Sequence, residues 1–257
     1  MLFAVDIGNS SVSFGIFDDR GVLLLKSKVD AVKSKSADEY AVLFQAILRL
    51  RGFDGARMTE SIVSSVVPPL TRAVSEAIYT LFGVRPIEVG PGVRTGLNIR
   101  IDSLTQLGAD LVANAVAAQA IAPSPFVVLD LGTATTFTVV NGEGVLEGVI
   151  ISPGVRLSLD ALAEFGAELP DISVAPPKRL IAKNTQDSMR SGVLLGHAAM
   201  IDGMLERIRH ELGVDRLRVI ASGGLADAVL PYCSTEMELR PNLTLEGLYL
   251  LAVKNRK

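Results

Sequence analysis

One short pattern is written twice in this chain, a domain's length apart. An apolar run at residues 2–5 is closed by Asp6-Ile7-Gly8-Asn9-Ser10 and followed by a second run at 13–17. Asp18-Asp19-Arg20-Gly21 then turns into a third run at 22–25. Further on, an apolar run at 126–129 is closed by Asp130-Leu131-Gly132-Thr133-Ala134. It is followed by residues 136–140, an Asn141-Gly142-Glu143-Gly144 turn and residues 145–151. Short apolar runs punctuated by Gly, Asp and Asn predict three antiparallel strands in each place. The two aspartates lie 124 residues apart (130 − 6), a domain-sized spacing rather than a solenoid period. The pattern therefore predicts two copies of one lobe.

The remaining segments make both lobes mixed α/β. The spacing of apolar residues predicts a helix near 37–51, a strand at 61–67, a helix near 70–82 and a strand near 86–89. Residues 105–121 are dense in alanine and apolar on most faces, which suits a buried helix. Ala122-Pro123-Ser124-Pro125 breaks it, so the expected lobes are 1–122 and 123–257. Leu194, Ala198, Ile201, Leu205, Ile208 and Leu212 predict a long helix over 193–212, and residues 217–221 predict a strand running into Ser222-Gly223-Gly224. With 257 residues and 49% hydrophobic composition, the chain can fill two cores.

Composition excludes several functions. Lys plus Arg is 25 against 28 Asp plus Glu, a net charge of −3, and no basic run is long enough to follow a phosphate backbone, so nucleic acid is not an expected partner. Cys233 is the one cysteine, so no intrachain disulfide or thiolate metal site can form. The apolar stretches fall short of a membrane span, and an amino terminus with no basic region and an acid at residue 6 does not read as a secretory signal. The expectation is a cytoplasmic protein without membrane partners. His197, on the long apolar helix, reads as a packed or capping residue, and His210 sits among charges on the outer side.

A strand ending in Asp-x-Gly followed by Asn or Thr and a small residue puts a carboxylate, a turn of unhindered amides and a hydroxyl at one place. Amides can cradle phosphate oxygens while the carboxylate holds Mg²⁺ or its waters. A single such turn is also an ordinary hairpin in which Asp caps backbone donors. Two copies, with a third glycine turn at Gly223-Gly224, are what a nucleotide cleft between duplicated lobes requires.

The two aspartate turns resemble the phosphate motifs of the acetate kinase, sugar kinase, Hsp70 and actin superfamily, which implies two RNase H-like lobes. A closer resemblance covers essentially the whole chain. Gly90-Pro-Gly-Val-Arg-Thr-Gly96, Gly108-Ala-Asp110, Asp130-Leu-Gly-Thr-Ala-Thr-Thr136, Ser152-Pro-Gly154, Asn184-Thr-x-x-Ser-Met189 and Pro241-Asn-Leu-Thr-Leu-Glu-Gly247 occur in the order seen in type III pantothenate kinases. That resemblance implies ATP-dependent phosphorylation of the terminal hydroxyl of pantothenate, the first committed step to coenzyme A, by a homodimer using Mg²⁺ and K⁺ or NH₄⁺. Asp6, Ile7, Gly8, Asn9, Ser10, Ser11, Val12 and Ser13 match the first nucleotide phosphate segment, with Asp6 also orienting Mg²⁺ through water. Gly132 and Thr133 match the second segment. Asp130 matches the monovalent-cation ligand and Asp110 the general base. Gly108, Ala109, Leu111, Thr185 and Ile101 fall at acceptor-lining positions.

The same residues have simpler roles open to them. Asp110 can be a helix N-terminal acid favoured by the helix dipole, Asp130 a turn cap, and Thr185 a helix N-cap. The chain also departs from the family pattern. Leu111 stands where an arginine usually faces the substrate carboxylate, Ile101 where an aromatic is usual, and Leu104 where proline is common. A lost bidentate clamp removes about 1.5 to 3 kcal/mol of charged hydrogen bonding unless Arg94, Arg100 or a partner-subunit residue substitutes. Two alternatives therefore stand beside pantothenate phosphorylation: a same-fold kinase for another small hydroxyl compound, and a catalytically idle accessory-factor relative.

Overall fold

The computed structural model describes residues 1–53 and 55–256, and the chain divides into two compact units. In the first unit, β1 (Leu2–Ile7), β2 (Ser11–Phe17) and β3 (Leu23–Asp30) form an antiparallel meander. Then follow α1 (Ala37–Leu50), β4 (Glu60–Ser65), α2 (Pro68–Phe82) and β5 (Ile87–Glu88), with β4 parallel to β1 and β5 parallel to β4. The chain next contributes β6 (Asn98–Ile99) to the second unit and returns to the first as α3 (Ala109–Ile121). The second unit repeats the plan with β7 (Phe126–Leu131), β8 (Ala134–Val140) and β9 (Val145–Pro153). It continues through α4 (Val155–Phe165), α5 (Thr185–Arg190), a π-helical turn at Ser191–Leu195, α6 (Gly196–Glu211), β10 (Arg218–Ser222), α7 (Ala226–Val229) and β11 (Glu238–Leu239). The last helix, α8 (Leu243–Lys254), belongs to the first unit.

The duplication is faithful down to side-chain orientation. The sheet orders are β3-β2-β1-β4-β5 and β11-β10-β7-β8-β9-β6, so the second is the first read in reverse, with β6 added at its edge. β1 and β7 alternate burial identically, as do β2 and β8. Even the register irregularity recurs, at Ile16/Phe17 in one meander and at Val139/Val140 in the other. The mixed α/β architecture and the repeated meander expected from the sequence are thus observed.

Local chemistry sets the element ends. α1 begins with a reciprocal capping box: Ser36 Oγ accepts the Glu39 amide at 3.3 Å, and Glu39 Oε2 accepts the Ser36 amide at 2.7 Å. α2 starts two residues earlier than its periodicity predicts, because Pro68 and Pro69 fit a first turn that needs no N–H donors. β4 consequently stops at Ser65 rather than at residue 67. The alanine-rich helix starts at Ala109 rather than Thr105. A short 3₁₀ turn, Leu104–Gln106, precedes it, and the Gly108 carbonyl takes the first helical bond from Val112 at 3.2 Å. The long helix reaches back to Thr185 through the π turn, farther than residue 193.

The first sheet is covered on both faces. Phe3, Phe14, Phe44 and Phe82 meet ring to ring at 5.0–5.6 Å on the α1/α2 side, with Val5 and Ile7 beside them. Leu2, Ala4 and Ile62 face the other way, against Ala113 and Val116 of α3 and Leu245, Leu248 and Leu251 of α8. A Cβ on Gly247 would run into the Ala113 carbonyl, so α3 and α8 pack backbone to backbone. Thr244 Oγ1 adds a bond to the fully buried Asn114 side chain at 2.8 Å. This packing corrects the expected single cut after residue 122, since the carboxy-terminal helix closes the core of the first unit. In the second unit Val127, Leu129, Leu131, Phe137 and Val139 pack against Leu194, Ala198, Ile201, Leu205 and Ile208. Substituting Gly247→Ala forces the helices apart, and urea unfolding is expected to show a loss of about 1–3 kcal/mol.

Candidate active site

Each unit places its aspartate in the same row of three side chains. In the first, Asp6 on β1 pairs in register with Ser13 on β2 and Ser64 on β4, so all three project from one sheet face. Alternation puts that face on the side of Leu2 and Ala4, the side covered by α3 and α8. Ser64 Oγ donates to Asp6 Oδ1 at 2.6 Å, which holds the carboxylate in one orientation. In the second unit Asp130 on β7 pairs with Thr136 on β8 and Ser222 on β10. Thr136 Oγ1 is buried without a hydrogen-bond partner.

The turns beyond these aspartates differ in length. Between β1 and β2 lie Gly8, Asn9 and Ser10, closed by Gly8 N–H to the Ser11 carbonyl at 2.9 Å. Between β7 and β8 lie only Gly132 and Thr133, closed by Gly132 N–H to the Ala134 carbonyl at 3.1 Å. Asn9, Ser10 and Thr133 are exposed. Ile7 and Val12, expected in the phosphate segment, are fully buried in the core, so their side chains cannot reach a ligand and only their main chain is available to one.

The second turn is gripped by backbone on both sides. A Cβ at Gly154 would strike the Thr133 and Gly132 carbonyls, and Gly154 N–H donates to the Thr133 carbonyl at 3.1 Å. Gly223, at φ 99°, would strike Leu131 main-chain atoms at 2.5 Å. Both glycines are needed for close approach. Ser64, Ser222 and the roles of Gly154 and Gly223 are the site features that sequence reasoning missed. A hydroxyl or glycine at a strand end was their signal, but only the strand register shows which aspartate each one serves.

Asp110 lies in the first turn of α3, where the helix dipole favours an anion. Its Oδ1 is buried with no hydrogen-bond partner, and a Cβ at Gly108 would collide with that oxygen. Gly108 therefore makes room for the carboxylate. Burial pushes the Asp110 pKa up, against a smaller opposing pull from the Leu111 and Asp110 backbone amides. Ala109 and Leu111 flank it, both buried. Leu111 therefore supplies an apolar side chain packed in the interior. Arg100, a candidate substitute for an arginine at 111, pairs with Glu147 at 3.7 Å in the second unit.

In the second unit Ile101 follows β6 and is half-buried, and Thr185 is exposed at the start of α5. Thr185 is not the helix cap. Asn184 is, accepting the Asp187 amide at 2.9 Å, so the threonine hydroxyl is not spent on capping. Leu104 is 58% exposed. His197 is buried and bonded to Thr135, while His210 is exposed near Glu206. Cys233 is half-buried, and burial lifts its thiol pKa to about 11, too high for an activated nucleophile. Among the described residues no three His, Cys, Asp or Glu side chains gather into a metal cage.

Twin sheets of this strand order, each with a carboxylate and a glycine turn at the end of its first strand, define the class of actin-like kinases and ATPases. A solved hexokinase of the ROK type from Thermus thermophilus shares the fold at a TM-score of 0.53 and 15% identity, over 98% of this chain and 97% of its own. The family model for type III pantothenate kinase matches residues 2–207. Proteins named type III pantothenate kinase from Geotalea daltonii and Geotalea uraniireducens are 39% and 40% identical to this chain over 257 residues, the full length of each. The chain belongs to the type III pantothenate kinase family.

A raised pKa means that the folded protein binds the Asp110 proton more tightly than the unfolded chain. The ionised carboxylate therefore opposes folding above its folded-state pKa, and the opposition fades as pH falls through that value. Asp110→Asn is expected to be more stable than the parent at about pH 8, with the difference vanishing below about pH 4, the unfolded aspartate value. Urea titrations at both pH values check this.

Proposed function

We propose that this chain transfers the γ-phosphoryl group of ATP directly to the terminal hydroxyl of pantothenate, the first committed step toward coenzyme A, with Asp110 as the base. Membership of the type III pantothenate kinases supports the reaction. The observation that carries the mechanism is the Asp110 carboxylate, half-hidden at a helix start with one oxygen unsatisfied and its pKa raised. A base of raised pKa accepts the hydroxyl proton more readily. Phosphoryl transfer asks mainly for positioning and charge neutralisation, so no covalent intermediate is needed.

The amides and hydroxyls of Gly8, Asn9, Ser10, Ser11 and Ser13 and of Gly132 and Thr133 serve the nucleotide phosphates. The oxygen-rich row around Asp6 suits Mg²⁺, which takes one or two carboxylates plus phosphates and water and when bound neutralises charge on the transferred group. Asp130 with the unpartnered Thr136 hydroxyl offers oxygen donors for K⁺ or NH₄⁺. Resemblance to the family assigns Thr185, Ile101, Gly108, Ala109 and Leu111 to acceptor positions. The family's homodimer is part of this reading, and Phe165, Leu180 and Ile181, 71–83% exposed in the second unit, are apolar side chains that such an interface could cover. No described helix is long and apolar enough to cross a membrane, and the cytoplasmic location is proposed on family membership.

The deciding assay combines ATP, Mg²⁺, K⁺ and pantothenate with mass spectrometry of the product. A gain of one phosphate on pantothenate is expected, and a larger kcat/KM for another hydroxy acid or polyol would transfer the assignment to that acceptor. Asp110→Asn is expected to lower kcat by at least about 10²-fold, the scale of general-base catalysis, with ATP affinity nearly unchanged. Undiminished turnover removes Asp110 from the base role. Omitting K⁺ and NH₄⁺ should depress the rate, and indifference to both removes Asp130 as their ligand. Sedimentation should give twice the 27.3 kDa chain mass.

A further inference from the structure

The apolar core of the second unit holds one polar pair. His197 Nε2 and Thr135 Oγ1 lie 2.8 Å apart, both buried. Leu131 pairs with Thr135 across the strands, Phe137 follows two residues along β8, and Leu194 and Ala198 flank His197 in the chain, all four in the unit's apolar core. Burial keeps the His197 pKa low, so the imidazole is neutral near pH 7 and the pair carries no charge. A neutral buried hydrogen bond adds little net stability over apolar residues of the same shape, and what such a pair supplies is a fixed geometry.

The two ends of that bond are informative. Thr135 is the second residue of β8, directly after the Gly132-Thr133 turn, and it pairs with Leu131 across one strand and Ser152 across the other. Ala134, next to it, supplies the carbonyl that closes the turn, and Gly154, two residues beyond Ser152, is pressed against the turn's carbonyls. His197 is the second residue of α6, immediately after the π turn. π turns shift the phase of a helix and are frequent at functional sites. Here the shift falls between α5 and α6, and it determines which side of α6 residue 197 presents. At its other end the π turn is tied by Ser191 Oγ to the Leu180 carbonyl at 2.6 Å.

We infer that His197 is a positioning residue for ATP: through Thr135 it fixes the Gly132-Thr133 turn in the conformation that holds the nucleotide phosphates. This rests on the reading of that turn as a phosphate segment. Backbone clamps at Gly154 and Gly223 restrain the turn from its edges, whereas the His197–Thr135 bond restrains the root of its outgoing strand from below the sheet. Losing the bond loosens donors that must already be aimed before the phosphates arrive, so the loss appears in ATP binding rather than in binding of the acceptor.

Steady-state kinetics on the Thr135→Val/His197→Leu double variant test this. Both polar partners become apolar and neither is left unsatisfied, so folding is retained, which thermal unfolding checks. The expected result is a KM for ATP raised about three- to tenfold, the worth of one hydrogen bond, with the KM for pantothenate within about twofold of the parent. Thr135→Ser and His197→Gln, which preserve a hydroxyl and a ring-length hydrogen-bonding group, should restore the parent KM for ATP. An unchanged KM for ATP in the double variant, or equal changes for both substrates, assigns the pair to packing alone and overturns the inference. Thr133→Ala separates the two layers of argument. If it leaves the KM for ATP unchanged, the turn is not a phosphate segment and the reading itself fails. If it raises that KM while the double variant does not, only the role of His197 falls.

Discussion

A charged carboxylate at the end of a buried strand is the constraint on which each unit is built. Asp6 and Asp130 end strands whose preceding residues are almost wholly buried, and a carboxylate there is tolerable only with polar partners. In register beside them stand Ser13 and Ser64 in one sheet and Thr136 and Ser222 in the other, and Ser64 Oγ donates to Asp6 Oδ1 at 2.6 Å. The 3-2-1-4-5 strand order follows, because it sets the aspartate strand between an antiparallel neighbour that begins at the turn and a parallel neighbour that ends beside it. The glycine turns then carry exposed donors away from that fixed point.

The surroundings of Asp110 are built on different physics. Asp110 is not stabilised by hydroxyl partners. It is held at a helix start with an oxygen left unsatisfied, and its ionised form is disfavoured by burial. Asp6 accepts a hydrogen bond at 2.6 Å from Ser64. The two carboxylates thus stand in different surroundings, one accepting a hydroxyl and the other keeping a buried oxygen without a partner. The same residue type differs in its pKa because its surroundings differ, and groups perturbed as Asp110 is are frequent at functional sites. Ala109 and Leu111, the buried neighbours of Asp110 in the chain, give it an apolar flank on either side.

Much of this was legible in the chain itself. The repeated Asp-x-Gly turn, the meanders, the alanine-rich buried helix and the family membership all follow from residue order, since a strand–turn–strand unit is encoded over some fifteen consecutive residues. Element ends were less legible where a breaker competes with periodicity, as at Pro68-Pro69 and Gly108. Within residues 6–13 the side chains could not be sorted from the sequence: Ile7 and Val12 belong to the core, and the alternation that puts them there also turns Asp6 the other way.

The sequence by itself determined that this is a duplicated α/β kinase of the type III pantothenate kinase family, because those signals are local and ordered along the chain. Only the tertiary structure decided that α8 completes the first unit, that β6 extends the second sheet, that Ser64 and Ser222 stand beside the aspartates, and that His197 reaches Thr135. Each of these joins residues separated by tens to hundreds of positions. Strand register, a close backbone approach such as Gly247 on Ala113 and the phase shift of a π turn bring such residues together, and none of the three leaves a periodic mark in the sequence.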